Sequence, residues 1–434
     1  MFRRFFTDCQ LTLELTTPML SRPQHRRLFL LIVLFMGGAW WHGRVLPPLE
    51  GGDEWLQLAY IDHIRATGTL PDRADTSGPA RQQSGQPPLT YAIGALPGIV
   101  RGLPLIDTAA MWDALQRDSN NWFAPPYRFN RTDNNNVFYL SNEPANTPSI
   151  VRVNRAARWI APLWGVVGLL ATYAAAYERF RRAGPALGAA ALFALLPTHL
   201  HISSFPNTDG GAAALGAVVL WLALRAARGQ VGIGWALGAG LALGLGGLAK
   251  VSVLLLGPAL ALGAVIGVGR SGGRWRRMIV LGVGGVAPVA ITFGAWAAWG
   301  WLAYGDPLGT QTHRFEGQFY DPPLGVLAVL TRLPEVYLSY WGKFGSAVYL
   351  HPITYIVLSG VLALALFGRM GGRGDLRLQA ILWLATGSAL AGLWYWLSTI
   401  NFITGRLLFP AHAALAILIV AGLDRYGPNV RAVA

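Results

Sequence analysis

Few acidic residues stand in this chain, and one group of them sits where chemistry can happen. Glu50-Gly-Gly-Asp53-Glu54-Trp55 follows the first long apolar run. Carboxylates beside a membrane are costly to hold and need a partner or a task. Here the expected task is proton abstraction from a hydroxyl by Asp53, with Glu54 as a catalytic or metal-facing neighbour. The plainer alternative is that both acids complement the positive end of the helix that follows. A second acidic site, Asp209, stands in Asn207-Thr-Asp209 at a joint between apolar runs. Asn and Asp also favour helix N-caps, and the two roles are compatible.

The matching cations are sparse. Of the 35 basic residues, all but Lys250 and Lys343 are arginine. Lys250 ends one apolar run in Leu248-Ala-Lys250, and Arg406 opens the last one in Gly405-Arg406-Leu-Leu-Phe-Pro410. Both are candidates to bind a phosphate, Arg through its two-pronged donor geometry. For Lys250 the alternative is snorkelling toward lipid headgroups. Gln86-Pro-Pro-Leu89-Thr-Tyr91 offers Gln86 and Tyr91 to the same pocket, although Pro87-Pro88 equally suits a helix start. His199 and His201 lie close to Asp209. Carboxylate and neutral imidazole together suit a divalent metal, with Asp53, Asp209 and His201 as candidate ligands. Interfacial histidines are the plainer reading.

Such residues need a scaffold that holds them at a membrane edge. The 434 residues are 53% hydrophobic and only 13% charged, against about a quarter charged in soluble domains. This predicts an all-α polytopic membrane protein. The net charge of +14 does not call for nucleic acid, because arginines at the cytoplasmic ends of spans give the same excess. The single cysteine, Cys9, excludes an internal disulfide and a cysteine zinc site.

Hydropathy places a cytoplasmic segment at 1–27, a membrane domain at 28–423 and a cytoplasmic tail at 424–434. Spans are expected near 28–45, 159–178, 185–202, 207–224, 231–249, 251–269, 278–300, 352–368, 378–398 and 407–423, about ten in all. The first is read as a retained anchor. The loops this register puts inside hold Arg179, Arg181 and Arg182, then Arg225 and Arg228, then Arg270 to Arg277, then Arg369 to Arg377. A first outer loop runs over 46–158 and a second over 301–351, which carries His313, Arg314, Glu316 and Asp321. Within the first, Asp53–Thr67 and Leu89–Val100 read as helices lying on the membrane surface. The stretch 104–150 is an Asn- and Pro-rich insert, with Asn134-Asn135-Asn136 and a sequon at Asn130. Span five, rich in glycine, suits close helix packing. The tight joints holding His201, Asp209 and Lys250 predict a shared cavity on the outer face. Neither a Rossmann glycine fingerprint nor a P-loop is present.

In their order and topological places these motifs resemble the type-C fold glycosyltransferases, which include protein O-mannosyltransferases and the lipid A aminoarabinose transferase. The resemblance rests on Asp53-Glu54, Gln86-Pro-Pro, Asp209, Lys250 and Gly405-Arg406. It implies a polyprenyl-phosphate sugar as donor, a lipid, glycan or protein as acceptor, and transfer on the outer face of the plasma membrane. It also implies Asp53 as the catalytic residue. Gly85-Gln86 departs from the acidic and basic pair that the lipid A enzyme carries before its Pro-Pro. Two rival readings are a flippase of lipid-linked sugars and an O-antigen polymerase or ligase. The first is disfavoured by the lack of an internal repeat. The second would make Arg314 and His313 the working residues.

Overall fold

The computed structural model describes residues 22–75, 78–108, 111, 148–272, 275–315, 319–344, 348–370 and 375–427. Expectations placed on Cys9, the Asn130 sequon, Asn134 to Asn136, Glu316 and the side chain of Arg314 lie outside the described residues.

Helices run α1 (Arg22–Val45), α2 (Glu54–Thr67), α3 (Leu89–Val100), α4 (Pro148–Phe180), α5 (Ala183–Leu195), α6 (Pro197–Ile202), α7 (Thr208–Ala227) and α8 (Ile233–Ala249). They continue as α9 (Gly257–Arg270), α10 (Trp275–Val289), α11 (Ala295–Tyr304), α12 (Gln311–Phe315), α13 (Val326–Leu330), α14 (Leu333–Gly342), α15 (Pro352–Met370), α16 (Leu376–Thr399) and α17 (His412–Leu423). Two short strands, Lys343–Phe344 and Val348–Tyr349, pair antiparallel. The chain is an all-α polytopic membrane protein. Among the described residues seven helical stretches are long and apolar enough to cross a membrane: Pro23–Val45, Ser149–Phe180, Thr208–Ala227, Val251–Arg270, Trp275–Tyr304, Leu376–Thr399 and Gly405–Tyr426. The shorter apolar helices α5, α8 and α15 stand where the remaining spans are expected.

Two boundaries differ from the sequence reading, each for a local reason. The span expected at 185–202 is broken. Leu196, just before Pro197, takes φ −57 and ψ 124, because a residue preceding proline is pushed out of the helical region. α6 then starts afresh with Pro197 in its first turn. The span expected from 159 begins eleven residues earlier, at Pro148. Arg152, Asn154, Arg155 and Arg158 hide its periodicity, but Ile150, Val153 and Ala157 on one face are buried.

The main core gathers α1, α4, α5, α7, α9, α16 and α17 around small residues such as Ala189, Ala213 and Ala414. Close backbone approach is the packing device, as in membrane helix pairs generally. A Cβ on Gly240 of α8 would strike the carbonyl of Gly285 on α10, and one on Gly263 of α9 would strike that of Ala223 on α7. A second core fills the first loop: Trp55, Leu58, Tyr60, Tyr91, Ala95 and the first turns of α4. Helix α2 is buried from Glu54 through Asp62 without interruption. It is therefore wedged between α3, α4 and the loops rather than lying with one face free.

Helix α7 sets the polarity of the bundle. Its first turn carries Asp209 and its last Arg225, about 24 Å apart at 1.5 Å per residue. At the Arg225 end the turns are stitched to one another. Arg228 donates to the Glu178 carbonyl at 2.6 Å, Arg270 pairs with Asp375 at 2.9 Å, and Arg182 pairs with Asp424. The Asp209 end holds the candidate site.

Candidate functional site

Four breaks in regular structure bring the candidate residues together. Asp53 is the residue before α2 and takes φ 61, ψ 9, a left-handed conformation that Asp tolerates better than most residues. Its side chain makes no capping hydrogen bond. Asp209 lies in the first turn of α7, whose cap is Asn207: its Oδ1 accepts from the Gly210 amide at 2.8 Å. Lys250 is the extended residue between α8 and a 3-10 turn over Val251–Leu256. Arg406 lies in the 3-10 turn Gly405–Ala411, capped by Thr404.

These breaks produce a row of alternating charge. Lys250 Nζ is hydrogen-bonded to Asp209 Oδ1. Arg406 Nη1 is 3.6 Å from Asp209 Oδ2, and its Nη2 is 3.6 Å from Asp53 Oδ2. At 3.6 Å neither contact is a hydrogen bond, so both guanidinium prongs retain donor capacity. The Asp53 side chain is 36% exposed while that of Asp209 is 8% exposed. Glycines make room for the row. A Cβ on Gly51 would lie 2.7 Å from the Phe205 ring, and one on Gly52 would lie 3.3 Å from Arg406 Nη1. Gly405 abuts the backbone of Tyr340 and Val336 on α14, and its amide donates to Ser339 Oγ at 2.8 Å.

Glu54 has a different environment from the one expected of a catalytic or metal-facing residue. It is fully buried. Oε1 accepts from Asn154 Nδ2 at 2.8 Å and Arg158 Nε at 2.7 Å. Oε2 accepts from the Gly51 amide at 3.0 Å and Arg158 Nη2 at 2.6 Å. Arg158 also donates to the carbonyls of Gly43, Leu46 and Pro47. The pair thus ties the end of α1, the Asp53 loop and α4 into one unit. Sequence reasoning passed over Asn154 and Arg158; an arginine and an asparagine one helical turn apart at the head of an apolar run were the available signal.

Gln86 and Tyr91 border the site on the α3 side. Gln86 Nε2 lies 3.3 Å from His313 Nε2, and its carbonyl accepts from Tyr60 at 3.3 Å. Tyr91 is stacked on Tyr60 with centroids 4.0 Å apart and donates to Gln83 Oε1 at 2.8 Å. Burial, with Tyr60, Asp53 and Asp209 nearby, pushes the Tyr91 phenol well above its ordinary range. It stays a hydrogen-bond donor and is no base.

The expected metal ligands are not gathered. The Asp209 oxygens face Lys250 and Arg406. The His201 ring sits edge-on to His42, Phe205 and Phe344. His199 is enclosed by Phe35, Phe193, Phe409 and His412. Among the described residues no three His, Cys, Asp or Glu side chains converge. Positive charge beside the carboxylates comes from Arg406 and Lys250.

Beside the row lies a small apolar cleft. It is walled by Gly94, Ile160, Trp164, Phe205 and Gly210 and has Thr90 and Asn207 at its polar edge.

Comparison with known proteins bears on this architecture. The family model described as dolichyl-phosphate-mannose-protein mannosyltransferase matches residues 150–299. No curated protein matches the sequence. Among solved structures, ArnT from Cupriavidus metallidurans bound to undecaprenyl phosphate superposes with a TM-score of 0.57 at 15% identity, covering 92% of this chain and 60% of that one. Its apo state gives 0.53 at 17% identity over the same shares. The Archaeoglobus fulgidus oligosaccharyltransferase AglB, in complex with an inhibitory peptide and a dolichol-phosphate, gives 0.48 at 14% identity over 93% and 51%, too low to bear on the site. The chain spans about 60% of the length of the ArnT structures it matches. With its bundle, its wedged first-loop helices and this likeness over nine-tenths of its length, the chain has the fold of the type-C membrane glycosyltransferases.

Proposed function

We propose that this protein is a membrane glycosyltransferase that moves a sugar from a polyprenyl-phosphate donor to an acceptor hydroxyl, with Asp53 as general base. The observation that carries the reading is the position of Arg406, 3.6 Å from both Asp53 and Asp209. A carboxylate for the acceptor and cations for the phosphate then stand side by side. The match to the mannosyltransferase family model and the fold shared with an ArnT structure bound to undecaprenyl phosphate support the donor class.

The acceptor oxygen attacks the sugar's anomeric carbon, and its proton passes to the Asp53 carboxylate. The bond from that carbon to the phosphate oxygen breaks, and its electron pair stays on the phosphate. The leaving polyprenyl phosphate gains one negative charge, which Arg406 and Lys250 are placed to stabilise. One displacement inverts the anomeric centre. Glu54, occupied by four donors, serves as a positioning residue for the Asp53 loop. Asp209 orients Lys250 and Arg406. Gln86 and Tyr91 shape the wall toward His313. We read residues 28–423 as one membrane unit with its site on the outer face, because the arginine-rich turns gather at the other end.

The test is a transfer assay on the lipid-reconstituted protein with a panel of radiolabelled polyprenyl-phosphate sugars and envelope extract as acceptor. Label moving from one donor to an acceptor is the expected result. Lipid-linked sugar crossing the bilayer intact, with none transferred, would overturn the reading in favour of a flippase.

A further inference from the structure

We propose that Ser339, in the second outer loop, is a positioning residue for Arg406: its hydroxyl fixes the start of the turn that presents the guanidinium to the donor phosphate. This rests on the reading of Arg406 as a ligand of that phosphate.

The contacts of the guanidinium are long. Its terminal nitrogens face Asp53 and Asp209 at 3.6 Å, beyond hydrogen-bond length, and Nε is 3.4 Å from Thr404 Oγ1. Its place is therefore set by the backbone of the turn Gly405–Ala411. The first amides of a helical turn have no acceptor within it. The Arg406 amide donates to Thr404 Oγ1 at 3.3 Å, and the Gly405 amide donates to Ser339 Oγ at 2.8 Å. The shorter bond reaches a residue 66 positions away in the chain, on α14.

Ser339 is built for that contact. Its Oγ donates to the Glu335 carbonyl at 2.6 Å, one turn back on α14. The hydroxyl proton is thus spent within the helix, and a lone pair is left for Gly405. Gly405 supplies the room, since a Cβ there would lie 2.4 Å from both Tyr340 N and Val336 O. Both residues are buried. The Ser339 carbonyl lies in the last turn of α14, where carbonyls lack a donor within the helix, and it accepts from Thr198 Oγ1 at 3.0 Å. Thr198 is on α6, the segment that leads to Asn207 and Asp209. One serine therefore holds the Arg406 turn against the approach to Asp209.

Helix α14 grips the far end of the same turn with the next residue. Tyr340 Oη is 2.8 Å from Nδ1 of His412, which directly follows the turn. His412 Nε2 is 3.0 Å from the Phe193 carbonyl. A carbonyl only accepts, so the neutral ring carries its proton on Nε2 and accepts from the tyrosine at Nδ1. Arg406 adjoins the first grip and stands six residues before the second. Loosening either grip weakens the turn, but only the first should move the guanidinium.

The experiment measures dissociation constants for sugar-free undecaprenyl phosphate on the full chain in lipid nanodiscs by native mass spectrometry, with melting temperatures of the same preparations. Ser339→Ala should weaken binding about tenfold and Arg406→Gln about a hundredfold, the range spanned by hydrogen bonds to a charged group. Ser339→Ala combined with Arg406→Gln should bind no worse than Arg406→Gln alone, because the hydroxyl acts through the arginine. Tyr340→Phe should lower the melting temperature as Ser339→Ala does, yet leave binding unchanged. Ser339→Cys, close to serine in size and a weaker acceptor, should show a smaller loss, and it reads the same bond should the alanine variant not fold. Wild-type affinity in the Ser339 variants, with Arg406→Gln weakened, would overturn the positioning role and leave the phosphate reading standing. Additive losses in the double variant, or an equal loss in Tyr340→Phe, would also overturn it. Wild-type affinity in Arg406→Gln would overturn the phosphate reading itself, and the positioning role with it.

Discussion

Asp53 and Glu54 are adjacent in sequence and opposite in circumstance. Glu54 is fully buried and saturated by donors at 2.6 to 3.0 Å. Asp53 is 36% exposed and faces its cation at 3.6 Å. One carboxylate is held by four donors and is fixed; the other is loosely paired and partly open to a reactant. The difference comes from direction. The left-handed turn at Asp53 sends its side chain toward Arg406 in the 3-10 turn Gly405–Ala411, while Glu54, the first residue of the helix, points back at α4. On the proposed reading, tight pairing marks structure and loose pairing marks chemistry.

Breaking the tight pair should have the largest effect on folding. Glu54→Gln leaves the Arg158 charge buried without its partner, a loss of about 3–5 kcal/mol. It should appear as a fall in thermal stability of the purified protein. Removing both charges as Glu54→Leu with Arg158→Leu should not restore it, because the carbonyls of Gly43, Leu46 and Pro47 would lose their donor. Full recovery in the double variant would show that the backbone ties contribute nothing.

The loose row should respond in the opposite sense, with activity lost and stability kept. Arg406→Gln should lower the turnover of transfer by about 10²–10³, the usual effect of removing one charge-stabilising donor. Its melting temperature should stay near that of the wild type. Gly405→Ala should shift Arg406 without changing its charge, since the added Cβ meets the Tyr340 and Val336 backbone. A displacement of about 1 Å can lower a rate by up to about a hundredfold, and the comparison with Arg406→Gln separates geometry from charge. Tyr91→Phe should do least, removing one hydrogen bond to Gln83 worth about 1 kcal/mol, with transfer nearly unchanged. A large activity loss there would move Tyr91 from the wall into the chemistry.

Much of this architecture was legible in the chain. Apolar runs marked the helices because lipid demands them. The tight joints at Asn207 to Asp209 and at Lys250 pointed to a cavity, and the structure brings Asp209 and Lys250 into contact there. What hydropathy missed lay where polar groups satisfy one another. The first turns of α4 look like loop because Asn154 and Arg158 interrupt the apolar pattern, yet those residues are buried against Glu54. The environments of Asp53 and Glu54 were not separable from sequence, because Asn154 and Arg158, which bury and pair Glu54, lie about a hundred residues away in the chain. The break at Pro197 was readable from proline alone, but a run of alanine and leucine before it masked the stop.

The central claim is that Asp53 takes the acceptor proton in a site whose cations hold the donor phosphate. The most direct measurement compares wild type and Asp53→Asn, purified and reconstituted, for undecaprenyl phosphate binding and for sugar transfer in the same preparation. Asparagine tolerates the left-handed backbone at this position, so the fold should be retained. The account predicts that the variant still binds the lipid phosphate while transfer falls by about 10²–10⁴. Transfer by Asp53→Asn at the wild-type rate would contradict it.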